Sequence, residues 1–280
     1  MNLRTAVLAL SLAAALPSLD LRAQDDSTSA ASSADDANPS ALVQEARREA
    51  EAGQLDRAIA SYERALALIT DSSRSYDPII RFNLATLHAA KGIDAFQADN
   101  LSDAVASFRS SLEWNPYSRD IRYNLCQAMY IQASRLKEHN ASAEEVTFLY
   151  SEILAEAARV REVDPANPNL LLILGYTYRN LGEENRAASV FEDKSRVAVE
   201  VNAIRMDVGA SQTKLTGAVK NVLRKEGDPI RLRFTMLALN GMPIASSDVD
   251  LKAAAPGDSV TFATSMRTTE DVAGWRYEVR

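Results

Sequence analysis

Apolar residues recur at helical spacing from Leu42 to about residue 196, and short polar turns divide this region into segments. The first turn, Gly53-Gln54-Leu55-Asp56, separates two amphipathic stretches. We therefore predict a helix, a tight turn and a second helix. Small residues such as Ala58 and Ala65 would let the two helices approach closely, with Tyr62 filling the space between them.

A short phrase shows that this arrangement is repeated. Arg81-Phe82-Asn83-Leu84-Ala85 recurs as Arg122-Tyr123-Asn124-Leu125-Cys126, and a weaker variant is Leu172-Ile173-Leu174-Gly175-Tyr176. The helical runs after the first two copies stop near Asn115-Pro116 and Asp164-Pro165, because proline cannot continue a helix. Repetition of this kind predicts a stacked helical solenoid, in which neighbouring helix pairs bury a shared core.

Four helix pairs fit the pattern, and the middle two are longer than the outer two. The helix that carries the first phrase is expected from about Pro78 to Ala98, two turns longer than the pattern needs. The third pair starts at Arg119 and contains a polar insertion at 137–144. The fourth pair is the most regular, so we expect the middle of the region to depart most from a standard repeat.

The four pairs resemble tetratricopeptide repeats, on matching small and aromatic positions. These are Gly175, Tyr178, Gly182, Ala187 and Phe191 in the fourth pair, Ala104, Phe108 and Pro116 in the second, and Ala58, Tyr62 and Ala65 in the first. The resemblance implies a helical repeat domain at 41–196 that binds a protein or peptide in a groove lined by the first helix of each pair.

The resemblance also implies which side chains line the groove. The expected partner-binding residues are Arg47, Tyr123, Gln127, Tyr130, Tyr176, Arg179 and Asn180. Aromatic, amide and basic groups of this kind make good peptide contacts, although aromatic residues at helical spacing are more often core. Tyr176 and Arg179 are the strongest candidates for exposure. We expect no clamp for a C-terminal carboxylate, because Val43 and Ala90 occupy the positions where such groups would stand.

From about residue 197 the apolar residues alternate with polar ones, which is typical of half-buried strands. Ile230, Leu232, Phe234 and Met236 form the clearest example, and Asn240-Gly241 is a strong hairpin signal because both residues tolerate positive φ. Six or more short strands with tight turns predict an all-β sandwich at 197–280.

This second region resembles the FxLyD-type immunoglobulin-like domain of exported bacterial proteins. The matching segments are 217–221, 234–241, 256–262 and 272–277. The predicted fold class is therefore a multidomain combination of a tetratricopeptide α-solenoid and a small all-β, immunoglobulin-like sandwich. The second resemblance implies architecture rather than an activity.

The first residues predict export. Arg4 precedes an apolar run from Thr5 to Leu16 that is too short to span a bilayer, and Leu21-Arg22-Ala23 is a possible cleavage site. We expect a signal peptide at 1–23 and a disordered Ser, Ala and Asp-rich linker at 24–40. The expected location is the bacterial periplasm or the exterior, with no transmembrane anchor in the mature chain.

The composition restricts the available chemistry. His88 and His139 are the only histidines, which excludes a multi-histidine metal site, and the single Cys126 excludes an intramolecular disulfide. Cys126 is expected to be a buried packing thiol. The ten glycines are expected at turns, and they form no phosphate-binding sequence motif. We therefore expect no enzymatic activity and no cofactor.

The net charge of −7 argues against a nucleic-acid partner, because phosphate binding needs a basic face. The basic cluster of the chain is either a solvated sheet face or a contact for an acidic polymer. Its members are Lys220, Arg224, Lys225, Arg231 and Arg233.

The hypothesis we favour is an exported, non-enzymatic scaffold or adaptor that binds a protein or peptide ligand, such as an envelope protein, in the helical groove. The alternative is that the sandwich binds a cell-envelope polymer or carbohydrate, with Trp275 and Tyr277 as stacking residues.

Overall fold

The computed structural model describes residues 38–70, 73, 76–208, 211–268 and 272–280. The predicted signal peptide at 1–23 and nearly all of the predicted linker at 24–40 lie outside the described residues. The described part of the chain contains eight helices followed by six strands, which confirms the predicted combination of helical repeats and a β domain. It falls into two compact units, 38–116 and 117–280.

The helices are α1 (Pro39–Glu51), α2 (Leu55–Ala67), α3 (Asp77–Gln97), α4 (Leu101–Trp114), α5 (Arg119–Glu138), α6 (Ala143–Val163), α7 (Pro168–Asn180) and α8 (Glu184–Ser195). The strands are β1 (Val199–Val208), β2 (Gln212–Asn221), β3 (Pro229–Ala238), β4 (Pro243–Lys252), β5 (Ser259–Arg267) and β6 (Val272–Val279).

The unit at 38–116 consists of two antiparallel helix pairs, α1 with α2 and α3 with α4. Tyr62 of α2 is fully buried between the pairs, and the Asn83 side-chain amide donates a hydrogen bond to its hydroxyl over 2.8 Å. A Cβ on Gly92 of α3 would lie 2.5 Å from the ring of Phe108, so this glycine is what lets α4 approach. The small and aromatic residues that recur in the sequence are thus explained by close packing between the two helices of a pair.

The unit at 117–280 contains two further helix pairs and the sandwich. Helices α5 and α6 have 20 and 21 residues, whereas α7 and α8 have 13 and 12, so the predicted lengthening of the third pair is present. Asn167 is the N-cap of α7, since its side-chain oxygen accepts hydrogen bonds from the amides of Asn169 and Leu170. Gly175 lies directly against the ring of Phe191, as Gly92 does against Phe108. The expectation that the glycines fall at turns is therefore wrong for these two, which lie inside helices because the facing ring leaves no room for a side chain.

The strands form two three-stranded antiparallel sheets with the orders β1-β2-β5 and β4-β3-β6. Their inner faces meet around Phe234, which is fully buried and stacks on Phe262 with ring centroids 5.0 Å apart. The backbone of β1 breaks at Ala203, where φ is 50° and the pairing with β2 shifts register. This bulge interrupts the alternation of side chains, so the pattern in the sequence indicated only the first part of β1.

The predicted hairpin at Asn240-Gly241 is present, but its loop differs from the expected two-residue turn. Four residues separate β3 from β4, and of the two only Gly241 has a positive φ, of 82°. The Asn240 side chain instead accepts a hydrogen bond from the Met242 amide over 2.9 Å, as turn asparagines commonly do.

Helix α8 ends at Ser195 and β1 begins at Val199, which is where the sequence changes from helical to alternating spacing. The compact unit at 117–280 nevertheless joins α5 to α8 with all six strands. Domain limits at 41–196 and 197–280 stay a prediction. Within the described residues, no helix has the length and apolar character that crossing a bilayer would need.

Candidate functional site

Helix α7 carries a guanidinium group that is held over two aromatic rings. The ring of Tyr176 lies edge-on to Phe191 of α8, with centroids 5.4 Å apart. The Arg179 guanidinium lies 5.7 Å from the Tyr176 centroid and 5.2 Å from the Phe191 centroid. These cation–π contacts orient Arg179 while 53% of its side chain remains exposed.

Next to this group, α5 and α7 are joined by polar contacts. Lys137 Nζ donates a hydrogen bond to the Asn180 side-chain oxygen over 3.0 Å. Asn180 also interacts with the Tyr130 hydroxyl, and burial raises the pKa of Tyr130 to about 12, so this hydroxyl stays protonated. We call the surface formed by Lys137, Tyr176, Arg179 and Asn180 the Tyr176 face.

The Tyr176 face carries positive charge that nearby carboxylates neutralise weakly. Lys137 forms no ion pair with a carboxylate in the described part of the chain, and its bond to Asn180 leaves its charge uncompensated. Arg179 lies 3.9 Å from Glu184, but both side chains are exposed, and such pairs are worth little. A net-negative protein therefore presents a locally cationic, aromatic surface.

The other residues predicted to contact a partner are placed differently. Gln127 is 5% exposed and Tyr130 is 3% exposed, so both offer little surface to a ligand. Tyr123 is half-buried against the core of α5 to α8, and burial raises its pKa to about 12. Arg47 belongs to the unit at 38–116, where it is half-buried and its Nε has no hydrogen-bond partner among the described residues. The structure thus brings Tyr130, Tyr176, Arg179 and Asn180 together.

The sequence interpretation missed Lys137. It was assigned to a polar insertion at 137–144, but it lies in the last turn of α5, which ends at Glu138. A basic residue near a helix C-terminus is favoured there by the helix dipole, and this preference was the available signal.

The sandwich does not present the stacking residues predicted for polymer binding. Trp275 is 7% exposed and Tyr277 is 1% exposed, because both rings pack in the core beside Phe234. The proposal that they stack on a ligand is therefore wrong.

The basic cluster in the sandwich is largely paired. Arg231 contacts Asp250 at 2.5 Å and Arg233 contacts Asp248 at 3.0 Å across the β3–β4 ladder. Arg224 donates to the Pro229 carbonyl over 3.0 Å. Of the two interpretations of this cluster, the solvated sheet face accounts for these contacts.

Cys126 is fully buried in the core of α5 to α8, and burial raises the pKa of its thiol far above the usual range. Histidine, cysteine and carboxylate side chains form no cluster suited to a metal ion in the ranges that the structure describes. Burial lowers the pKa of His88, so its ring is neutral at physiological pH.

The Cys126 thiol is expected to resist labelling in the native protein. A thiol-disulfide reagent such as DTNB reacts with the thiolate, and the raised pKa keeps this group protonated through mildly alkaline pH. We expect reaction at least ~100-fold slower than in urea-unfolded protein, because access requires opening of the core. Equal rates with and without urea would show that Cys126 is accessible.

No protein-family model matches this chain, and no curated protein gives a significant sequence match. Solved structures give weak similarities. A thermophilic TPR protein, TTC0263 from Thermus thermophilus, is 17% identical over 57% of this chain and 74% of its own, with a TM-score of 0.33. The MamA protein is 13% identical over 56% of this chain and 89% of its own, with a TM-score of 0.33.

A DUF1425 family member from Shewanella sp. pv-4 is 18% identical over 29% of this chain and 76% of its own, with a TM-score of 0.25. At these scores the similarities carry no conclusion about function.

Proposed function

We propose that this protein is an exported, non-enzymatic interaction scaffold that binds a protein or peptide on the Tyr176 face. The observation that carries the proposal is the Arg179 guanidinium, which is exposed yet held by the rings of Tyr176 and Phe191. Arginine and tyrosine dominate binding energy at protein interfaces. A side chain that is already ordered loses less entropy when a partner binds.

The charge on the Tyr176 face favours a partner segment that carries acidic residues. Lys137 and Arg179 are weakly neutralised, and complementary charge would speed association and orient the partner. The predicted signal peptide supports a partner in the cell envelope or outside the cell.

We also propose that the helix pairs are tetratricopeptide repeats and that the strands form an FxLyD-type domain. Two equivalent contacts support the first assignment. Gly92 lies against Phe108 in one pair and Gly175 lies against Phe191 in another, at the positions where the repeat pattern requires a small residue and an aromatic residue.

The function is tested with a peptide selected from a random phage-display library on the chain without residues 1–23. Its Kd is then measured by isothermal titration calorimetry for the wild type and for a Tyr176→Ala, Arg179→Ala double variant. We expect the double variant to bind at least ~30-fold more weakly, since two hot-spot side chains are lost.

A matched control is Phe148→Ala with Arg161→Ala on α6. Both side chains are exposed, at 62% and 44%, and neither belongs to the Tyr176 face. This control is expected to leave the Kd unchanged. Arg179→Glu alone keeps the aromatic pair and should still weaken binding, which separates a lost contact from a packing defect. Equal Kd values for all variants would refute the proposal.

A further inference from the structure

One buried carboxylate lies where α5, α7 and the sandwich meet. Asp164 follows α6 and its side chain is 1% exposed. The Tyr277 hydroxyl donates to Asp164 Oδ1 over 2.6 Å. Arg119 Nε and Asn167 Nδ2 donate to Oδ2 over 2.8 and 3.0 Å. Both carboxylate oxygens are therefore satisfied by donors from three separate segments of the chain.

Each donor belongs to a different structural element. Arg119 is the first residue of α5, and Asn167 is the N-cap of α7. Tyr277 lies on β6, an edge strand that pairs with β3, the central strand of its sheet. Asp164 thus connects one strand of the sandwich to the starts of the two helices that carry the Tyr176 face.

Close packing surrounds this carboxylate. The Arg119 guanidinium lies 5.8 Å from the ring centroid of Trp275, two residues before Tyr277 on β6. The backbone of Tyr117, just before α5, lies against Gly274, where an added Cβ would come within 2.7 Å of the Tyr117 carbonyl oxygen. The start of α5 and strand β6 are therefore in direct contact beside this carboxylate.

We infer that the β-sandwich positions the Tyr176 face: through Asp164 it fixes the first turn of α5 relative to the first turn of α7. A buried, fully hydrogen-bonded ion pair contributes to a defined arrangement more than to net stability, since desolvation offsets much of its attraction. Tyr277 and Asp164 are positioning residues and touch no ligand. This role rests on the proposed function, in which those helices present the binding residues.

The role is tested by Tyr277→Phe in the full chain, which removes the hydroxyl and keeps the ring. Hydrogen–deuterium exchange with mass spectrometry reports the amides at the helix starts, namely Asn169, Leu170 and Arg122. We expect these amides to exchange roughly tenfold faster, because a hydrogen bond to a charged group is lost at the point that holds both helices.

Thr213→Val is the matched control. It removes the buried hydrogen bond of 3.0 Å between the hydroxyls of Thr213 and Thr268, which lies wholly within the sandwich. Exchange at the starts of α5 and α7 should not change in this variant. The inference is overturned if Tyr277→Phe changes exchange only in β6, or if Thr213→Val produces the same increase in α5 and α7.

Titration with the selected peptide separates this inference from the proposed function. Tyr277→Phe is expected to weaken binding about three- to tenfold, as modest misplacement of a preformed surface does, and Thr213→Val is expected to leave it unchanged. One outcome is that the Tyr277→Phe variant binds the peptide and exchanges like the wild type while the Tyr176→Ala, Arg179→Ala double variant loses binding. In that case the positioning role is refuted and the proposed function is supported. If Tyr176→Ala, Arg179→Ala binds normally, the function fails, and the exchange data alone decide whether the sandwich fixes the two helices.

Discussion

Replacing Asp164 with alanine is expected to lower the free energy of unfolding of the unit at 117–280 by about 3–5 kcal/mol. The substitution leaves Arg119, whose side chain is 16% exposed, without its buried anion. It also removes the acceptor of the Tyr277 hydroxyl, and burial raises the pKa of Tyr277 so that this hydroxyl remains a proton donor. A buried donor without an acceptor carries its full desolvation cost.

The change is measured by urea denaturation followed by Trp275 fluorescence. Trp114→Phe serves as the background, since it leaves Trp275 as the only tryptophan. Asp120→Ala is the control, because Asp120 pairs with the same guanidinium but its side chain is 60% exposed. We expect it to cost less than about 1 kcal/mol. A midpoint for Asp164→Ala equal to that of Asp120→Ala would show that burial of the carboxylate is unimportant.

The second large effect is expected at Phe108. Its ring is 1% exposed and lies against Gly92, so Phe108→Ala leaves a cavity between α3 and α4. We expect a loss of about 3–5 kcal/mol in the stability of the unit at 38–116.

Urea denaturation of the Phe108→Ala protein, followed by far-UV circular dichroism, measures this loss. The control is Phe148→Ala, in which the same side chain is removed from a position that is 62% exposed. This control should remain within about 0.5 kcal/mol of the wild type. Similar losses for both variants would mean that Phe108 does not belong to the core.

The helix pairs could be predicted from the sequence because their causes are local. The small residue at Gly92 or Gly175 and the aromatic residue at Phe108 or Phe191 lie at a fixed spacing, and each helix shows its own apolar period. The hairpin at Asn240-Gly241 is local in the same sense. Its loop length was not predictable, because the Asn240 side chain closes the turn by a hydrogen bond of its own.

The junction between helices and sandwich could not be predicted, because its partners are distant in sequence. Asp164 and Tyr277 are 113 positions apart. Asp164 also precedes Pro165, so its place in the sequence is already explained as the end of a helix. Nothing in the sequence around Trp275 distinguishes a ring buried in the core from an exposed ring that stacks on a ligand. Its place in the core depends on which strands are neighbours, and alternation within one strand does not specify that order.

The Tyr176 face was predictable in part. Tyr176 and Arg179 follow from one stripe of a single helix, which is a local property, although the structure leaves Arg179 exposed and Tyr176 only half-exposed. Lys137 joins them because α5 and α7 pack side by side and its amine reaches Asn180. That contact depends on the length of α5, which the polar composition of 137–144 obscured.

Hydrogen–deuterium exchange of the full chain, with and without saturating amounts of the selected peptide, locates the binding surface. Binding on the Tyr176 face predicts slower exchange in the segments 130–138 of α5 and 172–180 of α7, with no change at 144–148 on α6 or in the sandwich. Protection confined to the sandwich, or centred on the exposed side of α6, would contradict binding on the Tyr176 face.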